Sequence, residues 1–277
     1  MIAFTRRYAR STAGTVGAVY LLLVVLAALL APLMFPGDPQ AIVARPVLEP
    51  FTDWFWPLGT DRLGRDVLAQ LAHGAGTSLL IGLTAMLGAL VIGIVVGTTA
   101  GYRGGLVDEV LMRLTEAFQT VPGFILALGL IAVLGPKLSS VIVAIALSSW
   151  TGPARVVRAE VLSLRARDFV DGCIVLGMRR WEIAFREVLP NALPPVVTLA
   201  AVIVAAAILI EAALSFLGLG DPNRVTWGGM IAEGRPVLRS APFLSIMPGI
   251  AVVLTVLAVN LVGEGINEAL APQRARP

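Results

Sequence analysis

Residues 168–185 read DFVDGCIVLGMRRWEIAF, and they lie inside a polar, arginine-rich insertion from Gly152 to Pro190 that interrupts bilayer-length apolar runs. The spacing predicts a short helix, a break at Gly177 and a second helix. Asp168 is placed to cap the first helix and Asp171 follows three residues on, so both carboxylates face unpaired amides and the positive end of the helix dipole. Phe169, Gly172, Cys173 and Leu176 recur at helical spacing as a narrow, small-residue apolar face, and Gly177 stops the helix as a C-terminal cap. Beyond the break, Arg179 and Arg180 begin a second amphipathic stretch in which Trp181, Ala184, Phe185 and Val188 share one side. Leu189-Pro190 then ends the excursion. Such a face can seat a knob in a partner's groove; the rival reading folds the loop back on the bundle, its arginines on lipid phosphates.

The sequence around this insertion is that of a polytopic membrane protein. Of its 277 residues 57% are apolar and 14% charged, and the mean hydropathy is +0.86, outside soluble globular usage. A span needs about 20 apolar residues. Six uncharged or nearly uncharged windows meet or approach that length: Ser11 to Gly37, Gly74 to Tyr102, Ala117 to Pro136, Leu138 to Ala154, Val188 to Ile210 and Ser240 to Gly263. The expected layout is an N-terminal segment (1–10), a first span (11–37), an outer segment with an amphipathic lead-in (38–73), a core of five spans carrying the 152–190 loop (74–267), and a tail (268–277). Arg6, Arg7 and Arg10 precede the first window as in a signal peptide, but its length and the absence of a clear cleavage site favour an uncleaved anchor.

Charge sets the orientation. With both termini cytoplasmic, the inner segments hold 14 of the 21 Lys and Arg residues and the outer segments the other 7, a positive-inside bias. Trp54, Trp56 and Trp227 then fall in outer segments, where an interfacial aromatic belt is expected. The single cysteine, Cys173, excludes an intrachain disulfide and leaves no metal cluster. No phosphate-binding G-x-x-x-x-G-K-[ST] loop, H-E-x-x-H or nucleophile elbow occurs, so neither ATP binding in that manner nor an enzyme is expected, and no cofactor. His73, the only histidine, reads as a polar residue near the outer mouth of the second span and not as a proton relay. Glu211, about 29 Å along its helix from the inner side, is expected at the outer interface, paired within the bundle or lining the outer mouth of a pathway together with Trp227.

Gly93, Gly97 and Gly101, at four-residue spacing, suit close helix packing. "GYRGGLVDEV" is a glycine-rich inner turn with Asp108 and Glu109 at the start of a new helix. "GTDRLGRD" is an outer turn plus a helix start.

At residues 171–190 the chain resembles the permease subunits of bacterial ATP-binding-cassette importers. Their cytoplasmic loop carries E-A-A-x3-G with an L-P pair whose Pro stands thirteen residues after the Gly. Asp171-Gly172-Cys173, Gly177 and Leu189-Pro190 occupy these positions. Gly172 and Cys173 depart from the paired alanines. Further stretches resemble the dipeptide, oligopeptide and nickel branch, specifically its second, C-type subunit: "PLGTDRLGRDV" (57–67), "GYRGGLVDEVLMR" (101–113), "EAALSFLGLG" (211–220), "WGGMIAEGR" (227–235) and "PGIAVVLTVLAVNLVGEGINEALAP" (248–272).

The resemblance implies an all-α, six-span type I importer permease with a cytoplasmic coupling helix, in the bacterial inner membrane. It implies a homologous B-type permease, two cytoplasmic ATP-binding subunits and an extracytoplasmic substrate-binding protein as partners, and no nucleic acid. Asp168, Asp171, Gly172, Cys173, Gly177, Arg179, Arg180 and Pro190 are then the ATPase-coupling set, with a second, smaller contact at Arg103, Asp108 and Glu109. Short peptides are the expected solute, with nickel or a metal chelate and an opine- or glycoside-like solute as rivals. A stand-alone secondary transporter is the different-class alternative, and it lacks the midplane carboxylates or inverted repeats expected of it. A membrane scaffold with no transport role would leave residues 152–190 dispensable.

Overall fold

The computed structural model describes residues 8–270. Its helices run in the order α1 (Thr12–Met34), α2 (Val67–Arg103), α3 (Gly105–Thr120), α4 (Gly123–Leu134), α5 (Leu138–Ser149), α6 (Thr151–Arg165), α7 (Asp168–Val175), α8 (Arg180–Glu182), a π-helical turn (Ile183–Val188), α9 (Leu189–Ala192), α10 (Pro194–Phe216), α11 (Trp227–Gly234), a 3-10 turn (Arg235–Val237) and α12 (Phe243–Leu270). Among the described residues there is no strand, and β-type pairing is confined to two isolated bridges, Ile42 to Arg65 and Thr60 to Asp66. The arginines at 6, 7, 274 and 276, used above for orientation, lie outside the described residues.

Four helices, α1, α2, α10 and α12, are long and apolar enough to cross a membrane unaided. The expected third and fourth spans are each broken. α4 and α5 have 12 residues apiece, about 18 Å of helix, which falls short of the roughly 30 Å hydrocarbon layer. α3 meets α4 at 87° and α5 meets α6 at 42°. Proline causes both bends. Pro122 forces Val121 into extended backbone (φ −92°, ψ 124°), which ends α3. Pro153 has no N–H to give the Ser149 carbonyl, so the ladder lapses where α5 becomes α6. Hydropathy windows sum over such bends, which is why both read as straight spans.

The segment between α1 and α2 is tied down by polar side chains. Thr60, fully buried, accepts from the Leu48 N–H at 2.9 Å and donates to the Arg45 carbonyl at 2.6 Å. Asp61 accepts from the N–H groups of Leu63 and Arg65 and from the Gln70 amide. Asp66 caps α2 through the Leu68 N–H at 2.9 Å, so the predicted lead-in is the first two turns of a 37-residue helix. His73 meets the Phe35 carbonyl at 3.2 Å, which fixes the C-terminal end of α1 beside α2. Trp227 departs from the belt expectation: it is 3% exposed and donates from Nε1 to the Leu71 carbonyl at 3.0 Å, whereas Trp54 is 94% exposed.

The spaced glycines find their partner in α6. A Cβ on Gly93 would meet Pro153 Cβ at 2.5 Å and one on Gly101 the Arg158 carbonyl oxygen at 2.9 Å, and on Gly97 it would fall on the carbonyl oxygen of Ala154. Backbone therefore rests on backbone along two full turns of α2 and α6, a separation only glycine permits.

Candidate coupling surface

Where α6 ends, the chain leaves the bundle through Ala166 and an extended Arg167 (φ −95°, ψ 149°), and Asp168 opens α7. The cap position thus belongs to Arg167, one residue earlier than the sequence suggests, because the extended backbone needed there is taken up in leaving α6. Asp168 and Asp171 both lie in the first turn and make no side-chain capping bond. Their charges still face the amide end of the helix, where the dipole favours acids.

Gly177 closes α7 as expected. Its φ is +76°, its N–H bonds the Ile174 carbonyl at 3.0 Å, and the Met178 N–H reaches back to Cys173 at 3.1 Å. This crossed pair is a Schellman closure. A Cβ on Gly177 or on Gly172 would meet nothing within 4 Å inside this chain.

α7 is held to the bundle mainly through Val170, 2% exposed, which joins Val157, Val161 and Leu164 of α6 and Ile183 and Val188 of the π turn in one cluster. Cys173 and Met178 pack against its edge. The rest of α7 faces outward. Val175 is 86% exposed and Leu176 81%, and Ile174 and Phe169 are also exposed. Of the predicted apolar face, Phe169, Gly172 and Leu176 lie open and Cys173 turns half inward.

The second amphipathic stretch is wound differently from the expectation. The four residues expected to share one side are divided: Ala184 and Val188 are buried together with Ile183, and Trp181 and Phe185 are exposed. The cause is the π turn. Pro190 has no N–H for the Arg186 carbonyl, and widening the helix ahead of it relieves the clash of its ring with that turn. Asn191 donates from its side chain to the neighbouring Glu187 carbonyl at 2.7 Å. Arg179 and Arg180 are exposed, and the Arg179 N–H donates to the Glu182 carboxylate at 3.2 Å.

The loop between α2 and α3 is clamped from α6. Arg158 grips the Asp108 carboxylate with two bonds of 2.5 and 2.6 Å, and Arg165 donates to the carbonyls of Gly101 and Tyr102 at 3.2 and 2.9 Å. Asp108 is therefore engaged within the chain, while Arg103 and Glu109 stay exposed. Sequence reasoning missed both clamping arginines, since no local pattern marks a pairing 50 residues apart.

Glu211 and Trp227 face the chain's interior. Glu211 is 1% exposed and accepts from Ser215 Oγ at 2.7 Å. The loop that follows α10 is pinned by Asp221, which accepts from the Leu138 N–H at 3.0 Å and the Asn223 N–H at 2.9 Å. Partial burial works against its ionisation, but these bonds and the charge of Arg224 hold its carboxyl below the usual range. Among the described residues no group of His, Cys, Asp and Glu is arranged to hold a metal ion.

Comparison with known proteins follows the same lines. The profile of the family described as "Binding-protein-dependent transport system inner membrane component" matches residues 73–276. A putative peptide transport system permease protein of Brucella suis is 39% identical over 99% of this chain and 92% of its own length. The di/tripeptide transport system permease protein of Pseudomonas aeruginosa is 37% identical over 98% of this chain and 91% of its own, and the oligopeptide transport system permease protein of Bacillus subtilis 32% identical over 96% and 88%. Among solved structures, an inward-facing MetNI methionine ABC transporter chain superposes with a TM-score of 0.57 at 16% identity, over 73% of this chain and 97% of that one. At that identity the likeness is one of fold.

Proposed function

This chain belongs to the binding-protein-dependent transport system inner membrane components, and from that premise we propose that it forms one half of the translocation pathway of an ATP-driven importer of short peptides. Its partners are a second, homologous permease, two cytoplasmic ATP-binding subunits and an extracytoplasmic binding protein, and ATP hydrolysis belongs to the ATP-binding subunits. Both termini and residues 152–190 are cytoplasmic in this reading, with 38–66 and the loop after α10 outside. The peptide assignment draws on the names of the relatives, three of which are peptide permeases similar over nearly their whole length.

One observation carries the coupling role: α7 is an eight-residue helix with Val175 and Leu176 almost fully exposed and one fully buried anchor. A helix that short is not stable by itself in water, and an outward apolar face of this kind marks a contact site. The occupant is the ATP-binding subunit. When the two nucleotide-binding subunits close, α7 follows, and α6, continuous with it through two residues, moves with it. The bundle then changes the side to which it opens.

Gly177→Val tests this. A β-branched residue at φ +76° costs about 1–2 kcal/mol, all of it at the closure of α7. The expected result is a chain that inserts at normal levels while uptake of a labelled dipeptide collapses; uptake at the wild-type rate would count against the role given to α7.

A further inference from the structure

Between the inner end of α2, the start of α3 and the coupling segment lies an open cleft of about 1110 Å³. Arg103, Arg165 and Arg180 border it, and no carboxylate does. Arg165 is engaged with the carbonyls of Gly101 and Tyr102. Arg103 and Arg180 have no hydrogen-bond or carboxylate partner among the described residues. A second feature is independent of these charges. Thr98, 0% exposed, also borders the cleft, and its buried Oγ1 has no hydrogen-bond partner. An orphaned buried hydroxyl is uncommon in a native fold, and this one lines the same cleft as the two unpaired arginines. Leu106, Trp181 and Phe185 give the same cleft an apolar wall.

We propose that this cleft binds the phosphate headgroup of an anionic amphiphile, a phospholipid of the cytoplasmic leaflet. Arg103 and Arg180 hold the phosphate as guanidinium groups do, with paired N–H donors, and the Thr98 hydroxyl supplies a further donor. An acyl chain lies along Leu106 and Phe185. The cleft is several times too large for a free phosphate and too apolar for one. Its place at the inner end of a membrane-crossing helix is where basic pockets take anionic headgroups. The inference rests on the cytoplasmic placement of this loop proposed above, and not on the identity of the solute.

The test is native mass spectrometry of the whole importer, purified in mild detergent and titrated with phosphatidylglycerol, phosphatidylcholine or inorganic phosphate. Wild type is expected to retain phosphatidylglycerol in preference to phosphatidylcholine. The Arg103→Gln/Arg180→Gln variant should bind it roughly twenty-five-fold more weakly, about fivefold per arginine, and Thr98→Val a fewfold more weakly. Thr98→Val is the milder change and keeps the test informative if the double variant assembles poorly. Equal retention of phosphatidylglycerol by wild type and both variants would overturn the site. Displacement of the lipid by millimolar inorganic phosphate would overturn its assignment to a lipid. Loss of the second permease from the double variant with lipid retention unchanged would make the cleft a protein contact and overturn the proposal. Retention that fails only in the variants, in preparations where the ATP-binding subunits do not bind, would support the site while counting against the coupling role of α7.

Discussion

The α2–α6 seam and the α7 excursion are joined end to end, yet they are built on opposite principles. In the seam, three glycines bring backbone onto backbone, and the facing residues Ala154, Val157 and Val161 are fully buried. In the excursion, one valine anchors a short helix whose other large side chains lie open. The contrast teaches a division of labour. A contact without slack transmits displacement, because packed backbone has no rotamers in which to absorb it. A lightly held helix can follow a partner. In the coupling role proposed for α7, a push on it would reach α6 through the cluster of Val170, Val161 and Leu164 and arrive at α2 through the glycine seam.

Breaking the rigid half should have the largest effect. Gly97→Val drives a Cβ and two methyl groups into the Ala154 carbonyl and Val157, an overpacking that costs about 3 kcal/mol or more. The chain should fail to reach normal membrane levels, or should unfold in detergent well below the wild-type temperature. A weaker break is available at the clamp. Arg158→Gln leaves Asp108 without its partner in a site one-sixth to one-third exposed, and between the exposed and buried limits for ion pairs the expected loss is about 1–2 kcal/mol. A thermal-shift double-mutant cycle with Asp108→Asn should show coupling of that order, and additive effects would remove the clamp from the account.

The lightly held half should respond to charge more than to volume. Asp171→Lys puts a cation at the amide end of α7, worth about 0.3–1 kcal/mol, so ATP-binding subunits should co-purify less well while the permease pair stays intact. Unchanged co-purification would place the docking surface elsewhere. Gly172, by contrast, faces open space, and Gly172→Ala should leave the fold untouched and slightly strengthen α7, bringing the position back to the alanine seen in the family pattern.

What could be read from residues alone divides in the same way. Gly177 was legible because a terminating glycine has a local signature, and the structure gives it the left-handed backbone that signature requires. The Gly93, Gly97, Gly101 spacing announced a close contact but not its partner, since the complementary surface of α6 has no repeat of its own. Hydropathy found where the apolar chain lies and missed both bends, although Pro122 and Pro153 were there to be weighed. The start of α7 slipped by one residue because Asp168 is a good cap in isolation, and the geometry of leaving α6 decided otherwise. Arg158 and Arg165 carried no signal, their partners being supplied by tertiary structure.

The outward apolar face of α7 is the surface proposed above to meet the ATP-binding subunit. Replacing Val175 and Leu176 together with Asp would keep Val170 and the Schellman closure and change only exposed side chains. Assembled with its partners in proteoliposomes, this variant should show normal insertion, loss of ATP-binding subunits on purification and dipeptide uptake near background. Wild-type uptake driven by ATP hydrolysis in the presence of both charges would contradict the account.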